Sequence, residues 1–329
     1  MLGVQRKMTD SSSWRPTVSL EVLKKRADLL KKIRAFFYAR NVLEVDTPAL
    51  SIAGNTDPNV ESFSTEYTGP GSAGKLYLHT SPEFAMKRLL AAGSGAIYQL
   101  CKVFRNGEAG RRHNPEFTML EWYRPEFDHH QLMDEVEELI NDVLGKNEII
   151  RISYQQAFLK YAGIDPLNTE QSELKQCAQQ HGLEHVIGMD DASVDDWCDL
   201  LIDQVVIPAF GKGRIFIYDY PASQSALAKI SDKDSRVAER FELFIDGVEL
   251  ANGFHELTDA QEQQQRFKSE NKRREERGLS KLPIDTNLIA ALEEGMPDCA
   301  GVAVGIDRLL MLILDVDSIA DVIAMSSIE

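Results

Sequence analysis

Arg105-Asn106-Gly107-Glu108-Ala109-Gly110-Arg111-Arg112-His113-Asn114-Pro115-Glu116-Phe117 is the stretch from which the fold can be worked out. Residues 97–104 before it and 117–123 after it are rich in apolar and aromatic side chains, so they predict two β-strands joined as a long hairpin. The loop concentrates positive charge in a chain whose net charge is −16, which predicts a site for an anion such as a triphosphate. A solvated turn is the simpler alternative. The cationic side chains are Arg105, Arg111, Arg112 and His113.

Three blocks in order along the chain resemble the class II aminoacyl-tRNA synthetases, and most closely the lysyl-tRNA synthetases. Residues 104–121, from Phe-Arg-Asn to His-Asn-Pro-Glu-Phe-Thr-Met-Leu-Glu, resemble motif 2 of that family. Residues 249–259 resemble its lysine-pocket strand, and residues 301–309 resemble its motif 3. The resemblance implies an α+β catalytic fold over residues 17–329, with a mixed and mainly antiparallel sheet flanked by helices.

The composition indicates a globular and acidic protein. Apolar residues make up 43% of the 329 residues, which is enough for a substantial core. Lys and Arg number 36 against 52 Asp and Glu, so we expect no tRNA partner, although acidic synthetases can bind tRNA. The four cysteines have no CxxC spacing, which favours reduced thiols in the cytoplasm and gives no sign of structural zinc. No apolar run approaches the roughly 18 residues of a membrane span, and no signal-peptide core is present.

The N-terminal segment predicts a tail, a helix and a strand. Residues 1–16 are polar and rich in serine, so we expect a mobile tail, with residues 1–7 as an extension before a start at Met8. Apolar residues recur at helical spacing over 20–40, and residues 42–48 predict a strand that ends at Pro48. This helix and strand resemble motif 1, the dimer interface of class II enzymes, and imply a homodimer. An ordinary amphipathic helix is the alternative.

The resemblance also raises an expectation about the domain content. Bacterial lysyl-tRNA synthetases carry an anticodon-binding OB-fold before the motif 1 helix, whereas fewer than twenty residues precede that helix here. We therefore expect no anticodon reader and a product that is delivered elsewhere. Residues 148–213 predict a small, acidic helical insertion, because helix-start residues alternate there with glycine and proline breaks. A surface role and an acceptor-docking role are equally open.

Asp246-Gly247 lies between two β runs and predicts a hairpin with a two-residue type I′ turn. In the register that this turn sets, Glu242 lies diagonally from Glu249 on one face, within reach of one shared ligand. Two unpaired carboxylates so placed repel each other, which predicts a bound divalent cation such as Mg²⁺. Two exposed strand glutamates are the alternative.

Strict alternation along the second strand of this hairpin puts Asn252 and Glu256 on the face opposite Glu249. The family resemblance requires all three side chains on one face. We therefore expect a β-bulge or a twist, with Gly253 as the expected position.

The resemblance implies a site that binds ATP and Mg²⁺ and activates an amino acid. Its catalytic residues would be Arg105 on the α-phosphate, Arg308 on the γ-phosphate, and Glu249, which with Glu242 would hold ATP-bound Mg²⁺. The further ATP-binding residues that it implies are Asn106, Gly107, Asn114, Leu250 and Gly305. The residues that it implies for the amino-acid side are Ser81, Pro82, Glu83, Glu121, Tyr123, Asn252, Glu256 and Ala303. A carboxylate such as Glu83 at the start of a helix is also common simply because it compensates the helix dipole.

The acidic side chains of the implied pocket call for a substrate with two ammonium groups, since an unpaired buried charge typically costs about 3–5 kcal/mol. Lysyl-tRNA synthetases usually have glycine where this chain has Ala303. With the missing anticodon domain, this departure resembles the elongation factor P lysyltransferases, which use ATP to activate (R)-β-lysine and transfer it to a lysine ε-amine of elongation factor P. A truncated lysyl-tRNA synthetase acting on tRNA and a noncatalytic regulatory paralogue are the alternatives.

Two further positions carry expectations. Gly107 stands where both groups of relatives usually have a glutamate that receives the adenine amino group, so ATP binding should weaken by ~0.5–1.5 kcal/mol unless Glu108 or a backbone carbonyl substitutes. Lys272-Arg273-Arg274 lies on a highly charged helix over residues 261–277 and is expected to form a solvated face.

Overall fold

The computed structural model describes residues 14–71, 74–183, 185–186, 189 and 192–325. Most of the predicted tail at 1–16 therefore lies outside the described residues, as does the suggested start at Met8. Within the described part of the chain, no helix is both long enough and apolar enough to cross a membrane.

Two β-sheets organise the chain. In chain order the strands are β1 Leu43–Glu44, β2 Leu50–Ser51, β3 Ser64–Glu66, β4 Lys75–Leu78, β5 Ile97–Phe104, β6 Glu116–Pro125, β7 Ile149–Ser153, β8 Arg214–Pro221, β9 Val237–Ile245, β10 Val248–His255 and β11 Cys299–Gly305. The large sheet has the order β1-β5-β6-β11-β10-β9-β8-β7, and the small sheet has the order β2-β4-β3. Only the two edge pairs of the large sheet, β1 with β5 and β7 with β8, are parallel. The predicted mixed and mainly antiparallel sheet is confirmed.

The helices lie on both faces of the large sheet. They are α1 Leu20–Tyr38, α2 Glu83–Ala91, α3 His129–Leu144, α4 Tyr154–Tyr161, α5 Gln171–Gln180, α6 Val194–Leu201, α7 Ile207–Ala209, α8 Ala260–Glu276, α9 Thr286–Gly295 and α10 Ile306–Leu314. A π-helical segment, Ile202–Val206, joins α6 to α7. Local sequence explains where α3 begins, because Asp128 and Gln131 form a capping box there.

The helices α1, α3 and α10 cover one face of the large sheet, called the helix face below. Phe37 of α1 stacks on Tyr98 of β5 with ring centroids 4.4 Å apart. Trp122 of β6 is fully buried and donates its indole N–H to Glu135 of α3 at 3.0 Å. Burying apolar side chains of this size contributes about 1.5–3 kcal/mol each, so this core holds the sheet rigid under the opposite face.

The opposite face, called the cavity face below, has two parts. The helices α4 to α7 form their own core with Ile215 and Ile217 of β8 and with Tyr220. The rest of the face, over β6, β11 and β10, is bordered by α2, α8 and α9. The helices predicted for residues 148–213 are present, but the stretch begins with β7, a parallel edge strand that the sequence analysis did not predict. It therefore extends the large sheet as well as covering it.

Two local predictions are confirmed and two are wrong. The hairpin β5–β6 forms, and Asp246 and Gly247 both have positive φ angles, 51° and 74°, as a type I′ turn requires. The strand predicted over 42–48 is only the two-residue β1. Of the predicted solvated face, Lys272 and Arg273 are exposed, but Arg274 is fully buried and pairs with Glu61 at 2.6 Å, because the loop before β3 packs over α8.

Candidate active site

A β-bulge in β10 arranges the candidate site. Glu249 lies opposite Phe244, but the register shifts before Ala251, so that Asn252 lies opposite Glu242. The extra residue, Leu250, brings Asn252 and Glu256 to the cavity face with Glu249. The expected bulge is confirmed, but its position at Gly253 was wrong.

Gly253 has a different role, which is close packing on the helix face. A Cβ atom at this position would lie 2.4 Å from the ring of Phe241 and 3.0 Å from Val302. Glycine is therefore required so that β10 can lie flat between β9 and β11.

The cavity face contains a cavity of ≈ 350 Å³ where the predicted site residues converge. Those that line it are Ser81, Glu83, Arg105, Asn114, Glu121, Tyr123, Glu249, Leu250, Asn252, Glu256, Ala303, Gly305 and Arg308. Four predicted residues are not among its lining residues. Pro82 is buried at the start of α2, Asn106 and Gly107 are exposed on the hairpin loop, and Glu242 pairs with Arg240.

One end of the cavity, called the anionic end below, holds three glutamates. Glu121 accepts hydrogen bonds from the Ser81 hydroxyl at 2.7 Å and from the Tyr123 hydroxyl at 2.6 Å. Strand β6 supplies Glu121 and Tyr123, since residues two apart on a strand share a face. Glu83, in the first turn of α2, and Glu256, just after β10, complete the group.

Lys87 lies among these carboxylates and was missed by the sequence analysis. Its ammonium is 2.5 Å from Glu83 and 2.6 Å from Glu256, and its side chain is only 1% exposed. The available signal was its position four residues after Glu83 on the predicted helix, a spacing that brings the two side chains together. Three carboxyl groups and one ammonium leave the anionic end with an excess of acidic groups.

The pKa values reflect that excess. Burial, reinforced by repulsion from Glu83, raises the pKa of Glu121 to about 7. Burial also raises the pKa of Glu256 to about 8, although Lys87 opposes the shift. Burial alone would lower the pKa of Lys87, but Glu256 and Glu83 outweigh burial and raise it. The anionic end therefore takes up either protons or a further cation.

The floor of the anionic end is shaped by β11. Gly301 lies opposite Tyr123, and a Cβ atom there would be 2.3 Å from the Tyr123 ring and 2.5 Å from Glu256. Glycine is therefore needed for the two side chains to reach their positions. Ala303, two residues on, lies opposite Glu121 and adds a methyl group to the same floor.

The other end of the cavity, called the cationic end below, is lined by Arg105, Arg112, His113 and Arg308. Arg308 donates hydrogen bonds to the Glu249 carbonyl and to His113 Nε2, both at 2.8 Å. Burial lowers the pKa of His113 and the charge of Arg308 lowers it further, which suits a neutral imidazole acceptor. Arg111 does not join this group, because it is exposed and faces Asp317 at 3.8 Å.

Asp307 fixes the helix that carries Arg308. Its carboxylate accepts the Thr118 backbone N–H at 2.6 Å and pairs with Arg26 of α1 at 2.7 Å. These contacts join α10 to β6 and α1 at the start of α10. The motif around Asp307 was identified from the sequence, but the role of Asp307 in positioning the start of α10 was not.

Glu242 and Glu249 differ in their surroundings. Glu242 is buried, pairs with Arg240 and accepts a 2.7 Å hydrogen bond from the Tyr220 hydroxyl, so the premise of two unpaired carboxylates was wrong. Glu249 is 44% exposed, and Arg308 approaches it at 3.5 Å. A carboxylate has about four acceptor positions, so both side chains keep capacity for a cation ligand, and Glu249 fits that role better.

Comparison with known proteins agrees with this geometry. The sequence model of the family described as tRNA synthetases class II (D, K and N) matches residues 9–328. A Pectobacterium atrosepticum protein named elongation factor P--(R)-beta-lysine ligase is 51% identical over 322 residues, which are 97% of this chain and 99% of that protein. Proteins of the same name from Edwardsiella ictaluri and Salmonella typhi are 52% identical over 322 residues, with the same coverage.

The raised carboxyl pKa values predict a pH dependence of the unfolding free energy. The ordinary pKa of a glutamate is 4.5, so Glu256 ionises at lower pH in the unfolded chain than in the folded protein. Its contribution to stability is complete below pH 4.5 and is lost as the pH rises through about 8. Glu256→Gln cannot ionise, so its unfolding free energy should fall less than that of wild type between about pH 5.5 and about pH 8.5, by on the order of 2 kcal/mol.

Urea denaturation at the two pH values measures this difference. Glu276→Gln, on the solvent side of α8, is the matched control, because Glu276 is 60% exposed and is not among the residues that line the cavity. It should keep the wild-type pH dependence. Equal losses of stability in wild type and Glu256→Gln would contradict the interpretation.

Proposed function

The chain belongs to the class II tRNA synthetase family (D, K and N), and from that premise we propose that it is an ATP-dependent ligase of elongation factor P. In this proposal it activates (R)-β-lysine as an adenylate and transfers the lysyl group to the ε-amine of a lysine on that protein. The observation that carries the proposal is the cavity with a cationic and an anionic end. The names of relatives at 51–52% identity support the acceptor.

The two ends of the cavity suit the two reactants. The triphosphate of ATP would lie at the cationic end, with Arg105 on the α-phosphate and Arg308 on the γ-phosphate. An oxygen of the substrate carboxylate attacks the α-phosphorus, the bond to the β-phosphate breaks, and pyrophosphate leaves. A carboxylate is already a nucleophile, so the protein needs no general base for this step. Positioning alone can be worth about 7–11 kcal/mol, and the arginines stabilise the charge that develops.

The second step needs only an acceptor amine. The unprotonated ε-amine of the acceptor lysine attacks the acyl carbon of the adenylate, AMP leaves, and the amine loses a proton to give an amide. Because the acceptor is a protein side chain, this step requires no tRNA. We place the reaction in the cytoplasm, where a translation elongation factor works.

Glu249 and Glu242 would hold the Mg²⁺ that accompanies ATP. The ion would neutralise charge on the phosphates when bound. Glu249 already contacts Arg308, so the same carboxylate would orient a guanidinium and bind the ion.

The anionic end accounts for a diamino substrate. Glu83, Glu121 and Glu256 exceed the single ammonium of Lys87, so a substrate with two ammonium groups restores the charge balance. A neutral amino acid would leave carboxylates without counter-charge, which is costly in a buried site.

The direct test is pyrophosphate exchange with (R)-β-lysine and α-lysine side by side, followed by incubation with elongation factor P or tRNA and measurement of intact masses. We expect faster exchange with (R)-β-lysine and a mass gain of one lysyl residue on elongation factor P. Charging of tRNA alone would favour the truncated synthetase. An absence of exchange with either amino acid would favour the noncatalytic paralogue.

Relatives usually have an adenine-binding glutamate at the position of Gly107. We propose that Glu108 takes over the role of that glutamate in this chain. Gly107 has a φ angle of +83° and is exposed, whereas Glu108 lines the cavity 3.5 Å from Arg105. Glu108→Ala should raise the KM for ATP by roughly 2- to 10-fold, because the variant loses one hydrogen bond to adenine. It should leave the KM for (R)-β-lysine unchanged. Glu116→Ala, on an exposed side chain of the same hairpin, is the control. An unchanged KM for ATP in Glu108→Ala would exclude this role.

We also propose a homodimer through the motif 1 region. Tyr38, Leu43, Leu50 and Ile52 are large apolar side chains that are exposed within a short segment around the edge strand β1. Sedimentation velocity should show a dimer for wild type and a monomer for Leu43→Asp, because a charge there would be buried without a partner. Leu159→Asp, at a similarly exposed leucine of α4, should remain dimeric. A monomeric wild type would refute the dimer.

A further inference from the structure

A second group of polar side chains lies on the helix face, behind the anionic end of the cavity. His255 of β10 and Glu239 of β9 are in contact, with Nδ1 and Oε2 2.5 Å apart. His129, the first residue of α3, places its Nδ1 3.9 Å from the same oxygen. One ligand atom from each of the three residues lies within 4.8 Å of the others. This group is called the His-Glu-His cluster below.

Each histidine of the cluster has a carboxylate at its other ring nitrogen. Asp298 Oδ1 lies 2.8 Å from His255 Nε2, and Asp219 Oδ1 lies 3.3 Å from His129 Nε2. Metal-binding histidines are commonly arranged in this way, because the outer carboxylate fixes the ring and makes the inner nitrogen a better ligand. The inner nitrogens, both Nδ1, face Glu239.

His129 is an unsatisfied polar group at the centre of this arrangement. Its side chain is 6% exposed, and among the residues that the structure describes neither ring nitrogen makes a hydrogen bond, because Asp219 approaches Nε2 to 3.3 Å without hydrogen-bond geometry. A buried polar group without a partner costs about 1–3 kcal/mol. The ring is aimed at Glu239, so a ligand between them would satisfy it.

We propose that the His-Glu-His cluster binds one divalent transition-metal ion of the Zn²⁺ type through His129 Nδ1, Glu239 and His255 Nδ1. Imidazole nitrogen favours Zn²⁺ and its neighbours over Mg²⁺ and Ca²⁺, which take oxygen ligands. Three protein ligands leave a fourth position for water. This site is separate from the proposed Mg²⁺ ligands, which lie on the cavity face.

The cluster needs only small movements to hold the ion. Tetrahedral Zn²⁺ with bonds of 2.0–2.1 Å places its ligand atoms roughly 3.3 Å apart. The contact between His255 and Glu239 would open from 2.5 Å, and the gap between His129 and Glu239 would close from 3.9 Å.

The ion would join α3 to β9 and β10 from the helix face. His255 is followed directly by Glu256, so the ion would also hold the end of β10 in place beneath the anionic end. An ion that binds the folded chain but not the unfolded chain raises the free energy of unfolding, and the increase grows with the logarithm of the ratio of ion concentration to Kd. The proposed role is therefore structural.

The test uses the full chain, stripped of metal with a chelator, then reloaded with Zn²⁺ or Co²⁺ and assayed without ATP. Zinc content after desalting should be one ion per chain, Co²⁺ should give the intense visible absorption of four-coordinate cobalt, and Zn²⁺ should raise the melting temperature. His129→Asn and Glu239→Gln should each weaken zinc binding by more than about 100-fold, beyond the usual effect of losing an outer-shell partner. His130→Asn is the matched control, since the centroid of its ring lies 4.1 Å from that of His129 but His130 lies outside the cluster. It should bind zinc as wild type does.

Asp298→Asn gives an independent measurement at an exposed side chain that the fold tolerates. It should weaken zinc binding by about 10- to 100-fold through the orientation of His255. If His129→Asn fails to fold in metal-free buffer, this variant decides the question. The proposal is overturned if wild type retains no zinc, if His129→Asn binds zinc as tightly as wild type, or if Asp298→Asn leaves the affinity unchanged.

Discussion

The ion pairs of Lys87 are the interaction on which the cavity depends. One ammonium, buried beside Glu83 and Glu256, joins the first helix of the site to the end of β10. Without it, the glutamates of the anionic end would repel one another in a place that water cannot screen. With it, the acidic groups still outnumber the ammonium, so protons or a ligand must supply the rest. Protons and a cationic ligand therefore compete for the same carboxylates, and binding of one releases the other.

The bulge at Leu250 is the second constraint, because it decides which residues of β10 face the cavity. Strand residues alternate between faces, and one extra residue reverses the alternation beyond it. Glu249 and Asn252 thereby share the cavity face, while His255 is directed to the helix face. Strand β10 thus contributes residues to the candidate site on one face and His255 to the His-Glu-His cluster on the other. A change that removed the bulge would displace both.

The sequence predicted the sheet and its central hairpins, and most of the residues predicted for the site line the cavity, because apolar alternation, turn residues and family motifs are local signals. The prediction failed where contacts with residues far away in the sequence determine the surroundings of a side chain. Arg274 was expected to be solvated and is buried against Glu61, and Glu242 was expected to be unpaired and has two partners. Lys87 lies four residues after Glu83 on a helix, and this spacing of opposite charges is common on solvated surfaces. Nothing in the local sequence therefore indicated that Lys87 is buried. His129 and its partners are spread over much of the chain, where no spacing motif could connect them.

The polarity of the cavity explains why the class of substrate could be predicted but not the position of its amine. Both α-lysine and (R)-β-lysine carry one ammonium at the far end of the chain and a second close to the carboxylate, so in the proposed reaction charge directs the carboxylate of either one toward Arg105. Charge does not determine where along the molecule the second amine lies. That position depends on the shape of the floor, where Gly301 admits no side chain and Ala303 adds one methyl group. The two amino acids are isomers with the same charges, so the choice between α- and β-amines lies in packing rather than in the carboxylates.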